Sequence, residues 1–202
     1  MSYDQEAWEK TVAFHGHHCP GIAQGFRASQ LALNVLQVKR AEDEELVAIV
    51  ECDACGVDAV QALTGCTLGK GNLIFRDSGK SVYIFARRDP KMAVRVYVHG
   101  GLQPKDPEFL RLRSKVEEEV ATPIEAEQYR KMLNEKIEKL LSQPEEEILE
   151  WRIVDIEIPE KARLFNSIQC TLCGEKTSEG HARIKDGKPV CRPCAGEYTR
   201  GW

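Results

Sequence analysis

Three histidines and a cysteine lie close together near the start of the chain, at residues 15–21 (HGHHCPG). Imidazole nitrogens and thiolate sulfurs are ligands for zinc and for other transition metals such as iron, nickel and cobalt. Side chains at positions i and i+2 of an extended segment project the same way. We therefore expect His15, His17 and Cys19 on one side of this segment and His18 on the other.

The residues around Cys19 predict where its thiol lies. Pro20 suits the first turn of a helix, and an apolar stripe with helical spacing follows it. Cys19 is therefore expected at or just before a helix N-terminus. Partial positive charge there lowers the pKa of a thiol and favours the thiolate, which is the form that binds metal.

A second pair of thiols, Cys52 and Cys55, follows the apolar run 46–51 (LVAIVE), which is typical of a buried strand. Strand ends and helix starts converge at one edge of a layered fold, so Cys19 and Cys55 can meet there. A His/Cys/Cys set with an open fourth position is the pattern of a catalytic or ligand-binding metal site. The alternative is a buried cysteine beside hydrogen-bonded histidines, because free cysteine is among the most buried residue types.

Cys66 lies in the glycine-rich turn 65–71 (GCTLGKG). The spacing of this turn is one residue short of a P-loop and it lacks the Ser or Thr, so ATP binding is not expected. The backbone N–H groups of the turn, together with Lys70, suit a small anionic ligand such as a carboxylate. The alternative is a turn that uses glycine only for positive φ. The residues alone do not decide whether His15, Cys52 or Cys66 joins a metal site.

Three carboxylates, Glu51, Asp53 and Asp58, surround the second thiol pair. Each is a candidate for orienting an imidazole or for acting as a general base. The alternative for each is helix capping or exposure to solvent.

The C-terminal cysteines form two CxxC pairs, Cys170/Cys173 and Cys191/Cys194, separated by 17 residues. Four thiolates in this pattern predict a tetrahedral zinc site, and a structural one, because four sulfurs leave no open position. A hairpin with Asp-Gly at its tip (residues 186–187) is expected between the pairs, and a short helix at 195–200. A CxxC turn (a zinc knuckle), a hairpin and a helix in this order resemble a treble-clef zinc finger.

Periodicity and turn signals predict the elements that must position these residues. We expect an α+β fold, in which helices pack on a mixed sheet and a small four-cysteine zinc finger follows at the C-terminal end. The expected domains are residues 1–165 and 166–202. Residues 77–80 (DSGK) predict a hairpin between their flanking strands, and Thr122 and Glu125 predict a capping box. Helices are expected at 3–13, 21–37, 56–64, 107–121 and 123–142, and strands at 46–51, 72–76, 81–87, 93–99 and 151–158.

Composition narrows the class of protein. The chain has 202 residues, a net charge of −4 and a pI of about 5.8, and a large nucleic-acid-binding surface usually makes a chain basic. No apolar run is long enough to span a membrane, and residues 1–10 do not resemble a secretory signal. Eight cysteines without such a signal favour thiols and metals in the cytoplasm over disulfides.

Two long motifs carry a resemblance to a known family. FHGHHCPGIAQGFR (14–27) and DEELVAIVECDACGVDAVQALTGCTLGKGNLIFRDSGK (43–80) resemble the FmdE family, which is named after a component of formylmethanofuran dehydrogenase. The chain resembles a stand-alone member with an appended zinc finger. The likeness covers about residues 10–100 and weakens towards 158. Cys52 departs from the family pattern, in which a small polar residue such as Asn is expected.

The resemblance implies an α+β domain with a metal site near the HGHxCPG turn. Its ligand candidates are His17, Cys19 and Cys55, with His15 close by, and the metal is zinc or another transition metal. It also implies a homodimer. The function expected is a metal-binding protein, accessory to redox or one-carbon metabolism, with no assigned reaction. A second hypothesis is a regulator whose zinc finger binds nucleic acid or a protein partner, because basic residues are frequent in 183–200.

Overall fold

The computed structural model describes residues 3–99 and 106–197. The chain divides into two compact units, an N-terminal unit (Met1–Lys161) and a C-terminal unit (Ala162–Trp202). The expected α+β fold with a mixed sheet is confirmed. None of the helices in the described residues is long and apolar enough to cross a lipid bilayer.

A five-stranded sheet forms the centre of the N-terminal unit. Its order is β2-β1-β3-β4-β5; β1 and β2 are parallel and the other neighbours are antiparallel. All five residues of β1 are buried, because apolar side chains on both of its faces suit an inner strand. The strands are β1 (Leu46–Val50), β2 (Leu73–Phe75), β3 (Val82–Arg87), β4 (Met92–Val98) and β5 (Leu149–Val154).

The hairpin expected at residues 77–80 is wrong. The strands on either side of this loop are not neighbours, since β1 lies between them. The loop instead passes across the end of β1, where the backbone N–H groups of Ser78 and Lys80 donate to the carbonyl of Glu51. Residues 77–80 do form a loop, but the more apolar β1 occupies the position between the two strands that this loop connects.

The last strand also differs from the expectation of 151–158. It ends at Val154, because the apolar positions Ile153 and Ile156 are three residues apart and break the alternation that a half-buried strand needs. The first helix extends two residues further than expected and ends at His15.

Of the six α-helices in the described residues, five belong to the N-terminal unit, and α2 is the central one. It packs against α1, α3, α5, β3 and β4, and Ile22, Phe26 and Leu36 on it are fully buried. The capping box of Thr122 and Glu125 is confirmed at the start of α5. The helices are α1 (Gln5–His15), α2 (Pro20–Leu36), α3 (Gly56–Thr64), α4 (Pro107–Glu117) and α5 (Pro123–Ser142), with a 3-10 turn at Glu145–Glu147.

The buried Arg27 was not anticipated as a structural residue. Its guanidinium donates to the carbonyls of Leu140 and Leu141 at 2.8 Å and of Gln143 at 3.0 Å. These carbonyls end α5 and have no partner within the helix. Arg27 therefore joins the C-terminus of α5 to the middle of α2.

Helices α2 and α3 touch through their backbones. A Cβ atom built on Gly25 would lie 2.2 Å from the carbonyl oxygen of Gly56 and 2.5 Å from its Cα. Only glycine at position 25 permits this approach. Because Cys19 is the N-cap of α2 and Cys55 the N-cap of α3, the contact holds the two cysteine-bearing helix starts side by side.

The described residues of the C-terminal unit form two short hairpins, a 3-10 turn and one helical turn. The expected Asp-Gly hairpin is confirmed; Asp186 and Gly187 have φ of 51° and 75°, as a type I′ turn requires. The helical turn begins at Arg192, three residues before the expected start; the predicted residues 198–200 lie outside the described part. The elements are β6 (Ser167–Gln169), β7 (Lys176–Ser178), a 3-10 turn (Glu179–His181), β8 (Arg183–Lys185), β9 (Lys188–Val190) and α6 (Arg192–Ala195).

Substituting Gly25→Ala is expected to destabilise the N-terminal unit by about 1–3 kcal/mol, because the methyl group has no space against the backbone of α3. Urea unfolding followed by circular dichroism measures this. Gly69→Ala is the matched control: nothing lies within 4 Å of its added Cβ, so its effect should stay within about 0.5 kcal/mol. Equal stability of the two variants would contradict the close contact of α2 and α3.

Candidate metal centre

The histidine side of the centre begins at the end of α1. His15 is the last residue of this helix, and Gly16 (φ 95°) turns the chain in the left-handed region that favours glycine. The rings of His15 and His17 then lie 4.4 Å apart, centroid to centroid. The His18 ring packs edge-on against the buried Trp8, with the ring centroids 5.8 Å apart.

Cys19 completes a compact set of donors. The ligand atoms of His15, His17 and Cys19 all lie within 4.8 Å of one another, and His15 Nε2 is 3.7 Å from Cys19 Sγ. A tetrahedral ion with bonds of about 2.1 Å to nitrogen and 2.3 Å to sulfur separates those donors by about 3.6 Å. The distance of 3.7 Å between His15 and Cys19 therefore fits one edge of a tetrahedral coordination sphere.

Asp58 fixes the orientation of His15. Its Oδ2 lies 2.7 Å from His15 Nδ1, and the amide of Gln61 donates to its other oxygen at 3.3 Å. When Nδ1–H donates to the carboxylate, Nε2 carries the lone pair that a metal needs. This contact joins α1 to α3 across 43 residues, and nothing in the sequence pattern favoured Asp58 over Glu51 or Asp53.

Cys55 adjoins the set through Cys19 and Gly21. The position of a Cβ built on Gly21 is 3.8 Å from Cys55 Sγ and 3.9 Å from Cys19 Sγ, so both sulfurs lie next to Gly21. The structure thus brings His15, His17 and Cys19 together, and it places Cys55 beside Cys19 but outside this mutually close set. His15, expected only near the site, is thus a member of the mutually close set.

The pKa of the Cys19 thiol is raised, contrary to the expectation from its helix N-terminus. Burial is the main cause, and the adjacent Cys55 thiol raises the pKa further. The backbone N–H of Ile22, 3.4 Å from Sγ, opposes the rise but does not outweigh it. A thiolate at this position therefore needs a cation as partner, which a metal ion supplies.

The other candidate groups lie in different surroundings. Cys52 is buried, with its sulfur 4.0 Å from the hydroxyl of Tyr83, and burial raises the pKa of Cys66 to about 11. The ammonium group of Lys70 donates to the carbonyls of three consecutive residues, 41 to 43. Its hydrogens thus hold a loop, so Lys70 does not support the expected anion site.

Of the two remaining carboxylates, Glu51 accepts a hydrogen bond from Ser78 Oγ at 2.6 Å. It therefore fixes the loop that crosses the end of β1. Asp53 is exposed to solvent.

The four C-terminal cysteines form a separate cluster. All their sulfurs lie within 4.8 Å of one another, and Cys173 and Cys191 are 3.9 Å apart; sulfurs around a tetrahedral zinc ion are about 3.8 Å apart. Backbone N–H groups of residues 173 and 191 lower the pKa of Cys170 to about 6. The thiols of Cys191 and Cys173 raise the pKa of Cys194 to about 12. Such crowding of potential anions suits a dication at the centre.

Comparisons with known proteins agree with this architecture. The family model described as "FmdE, Molybdenum formylmethanofuran dehydrogenase operon" matches residues 14–150. The crystal structure of a tungsten formylmethanofuran dehydrogenase FmdE-like protein from Syntrophus aciditrophicus is similar, with a TM-score of 0.62 and 28% identity. The likeness covers 95% of this chain and 91% of that one.

A probable S-adenosyl-L-methionine-binding protein of Archaeoglobus fulgidus is 38% identical over 195 residues. The match covers 92% of this chain and 51% of that protein. The chain therefore spans about half the length of this relative.

Asp58→Asn is expected to weaken metal binding at this centre by about 10- to 100-fold, because the neutral amide makes His15 a poorer donor. Competition titration against a chromophoric chelator measures the affinity. Asp53→Asn, which alters an exposed carboxylate in the loop before α3, is the control and should leave the affinity unchanged. If Asp58→Asn binds metal like the unaltered protein, His15 does not contact the ion.

Proposed function

The chain belongs to the FmdE family, and on this premise we propose that it is a metal-binding protein with two different sites. In the N-terminal unit His17, Cys19 and Cys55 bind zinc or another transition metal. In the C-terminal unit Cys170, Cys173, Cys191 and Cys194 bind a structural zinc ion. The protein acts as an accessory in redox or one-carbon metabolism, as the operon in the family's description suggests.

The observation that carries the proposal is the convergence of soft donors from distant parts of the chain. Cys19 and Cys55 come from the starts of two helices and lie beside each other at Gly21. His15 ends α1 and His17 lies in the turn after it, and the ligand atoms of both are within 4.8 Å of Cys19. Mixed nitrogen and sulfur donors favour zinc, iron, nickel or cobalt over magnesium or calcium. No reaction is assigned to the protein.

His15 is included as the fourth donor of the N-terminal site. Support comes from its hydrogen bond to Asp58 and from the distance of 3.7 Å to Cys19. Four protein donors complete a tetrahedral coordination sphere. An external ligand then binds only if His15 leaves the ion or if the ion becomes five-coordinate. His17 is exposed to solvent, and an external ligand would approach from its side.

We propose a cytoplasmic location as well, because none of the eight cysteines forms a disulfide, as a reducing compartment favours. The proposal does not include S-adenosylmethionine binding, because the chain matches only about half of the archaeal relative that carries this name.

We also propose a homodimer, with the outer edge of β5 as its contact. This strand is the last of the sheet, and its Trp151 and Ile153 are 46% and 50% exposed. An antiparallel two-fold pairing centred on Trp151 places Glu150 of one copy opposite Arg152 of the other. Opposite charges therefore face each other when the two β5 edges pair. The pairing also brings the exposed apolar side chains of the two copies together.

Metal analysis of the full chain is expected to find two equivalents per protein. Cys55→Ala should lose about one of them, because it removes a donor of the N-terminal site only. Cys52→Ala is the matched control and should retain two, since Cys52 lies against Tyr83. One equivalent in the unaltered chain, or two in Cys55→Ala, would contradict the proposed N-terminal site.

The dimer is tested by light scattering on a sizing column. The unaltered protein is expected as a dimer, and Arg152→Glu as a monomer, because two like charges then face each other across the pair. Exchanging both charges, Glu150→Arg with Arg152→Glu, should restore the dimer. A dimer that persists in Arg152→Glu would show that β5 is not the interface.

A further inference from the structure

A groove of about 770 Å³ runs along the C-terminal unit between β8 and α6. Three cations line it, Arg183 and Lys185 from β8 and Arg192 from α6, and Glu197 is the one acid among its described lining residues. The apolar side chains of Ile184 and Pro193 lie beside them, and Ile184 is 73% exposed. The groove thus combines concentrated positive charge with an uncovered apolar surface.

The three cations are not balanced by nearby carboxylates. Among the described residues, none of them forms an ion pair; the pairs found all belong to the N-terminal unit. Lys185 donates to the carbonyl of Cys194 at 3.1 Å, and Arg183 to that of Ala182 at 3.0 Å. Both retain further N–H groups, so each can also bind an external anion.

Charge is distributed unevenly between the two units. Residues 162–202 contain seven Lys or Arg against four Asp or Glu, whereas residues 1–161 contain 21 against 28. A zinc ion with four thiolates would add two negative charges to the C-terminal unit. Cys191 and Cys194 adjoin Arg192, so these charges lie beside the groove. The side chains of the zinc-loaded C-terminal unit still carry a net charge of +1 (seven minus four minus two), within an overall acidic chain.

We propose that this groove binds the phosphodiester backbone of a single-stranded nucleic acid. Arg and Lys bind phosphate oxygens, and exposed apolar side chains accept the faces of unpaired bases and sugars. α6 has four residues and is too short to enter the major groove of a duplex as a recognition helix. A single-stranded nucleic acid needs only a row of positively charged side chains along its backbone. This inference goes beyond the proposed metal binding and does not depend on the N-terminal site.

Three phosphate contacts predict a defined salt dependence. For single strands the slope of log K against log salt is about −0.7 per contact, so a slope near −2 is expected. The affinity then falls about 20-fold between 50 and 200 mM salt. A steeper slope would mean contacts outside the groove.

The test uses the zinc-loaded full chain and a fluorescein-labelled 12-nucleotide oligothymidylate, with binding followed by anisotropy at 50 mM salt. Arg183→Glu is expected to weaken binding at least tenfold and to flatten the salt slope. Lys176→Glu makes the same charge change in the same unit but does not line the groove, and should alter binding less than twofold. Metal content and circular dichroism of both variants show that they are folded, and Arg192→Glu serves if Arg183→Glu fails this check.

Three outcomes would overturn the proposal. One is no anisotropy change up to 100 µM protein at 50 mM salt. Another is equal weakening by Arg183→Glu and Lys176→Glu, which would show diffuse attraction only. The third is displacement of the strand by polyglutamate or pyrophosphate as effectively as by unlabelled oligothymidylate, which would assign the groove to an acidic protein or to a free phosphate.

Discussion

The backbone contact between α2 and α3 is the constraint on which the N-terminal site depends. Gly25 lets the two helices approach until the carbonyl of Gly56 occupies the space of a side chain. At that separation the helix starts are adjacent, and Cys19 and Cys55 share one environment. Both helices are anchored elsewhere, α2 by the sheet and by Arg27, α3 by its contacts with α1. The site is therefore a consequence of helix packing rather than of a flexible loop.

The two groups of thiols show how different surroundings lead to the same need for a cation. In the N-terminal unit burial disfavours the thiolate of Cys19, so its charge has to be offset by a bound ion. In the C-terminal unit backbone N–H groups favour the thiolate of Cys170, while neighbouring sulfurs disfavour that of Cys194. The short C-terminal unit has little core of its own, so its ion contributes to folding as well.

Local patterns predicted local features well. The alternation of apolar residues indicated β4, the CxxC spacing indicated the C-terminal cluster, and Thr122 with Glu125 indicated the start of α5. Features that join distant residues were missed. The hydrogen bond of Asp58 to His15 leaves no trace in a short window, because it depends on packing across tens of residues. The run 46–51 indicated a buried strand, but not that β1 lies between β2 and β3.

The most direct test of the shared ion is anomalous scattering from a crystal of the metal-loaded full chain. The account predicts a peak about 2.0–2.3 Å from a ring nitrogen of His17 and from the sulfurs of Cys19 and Cys55, with a second peak among the four C-terminal cysteines. A peak at the C-terminal cluster alone, in protein loaded with excess metal, would contradict it.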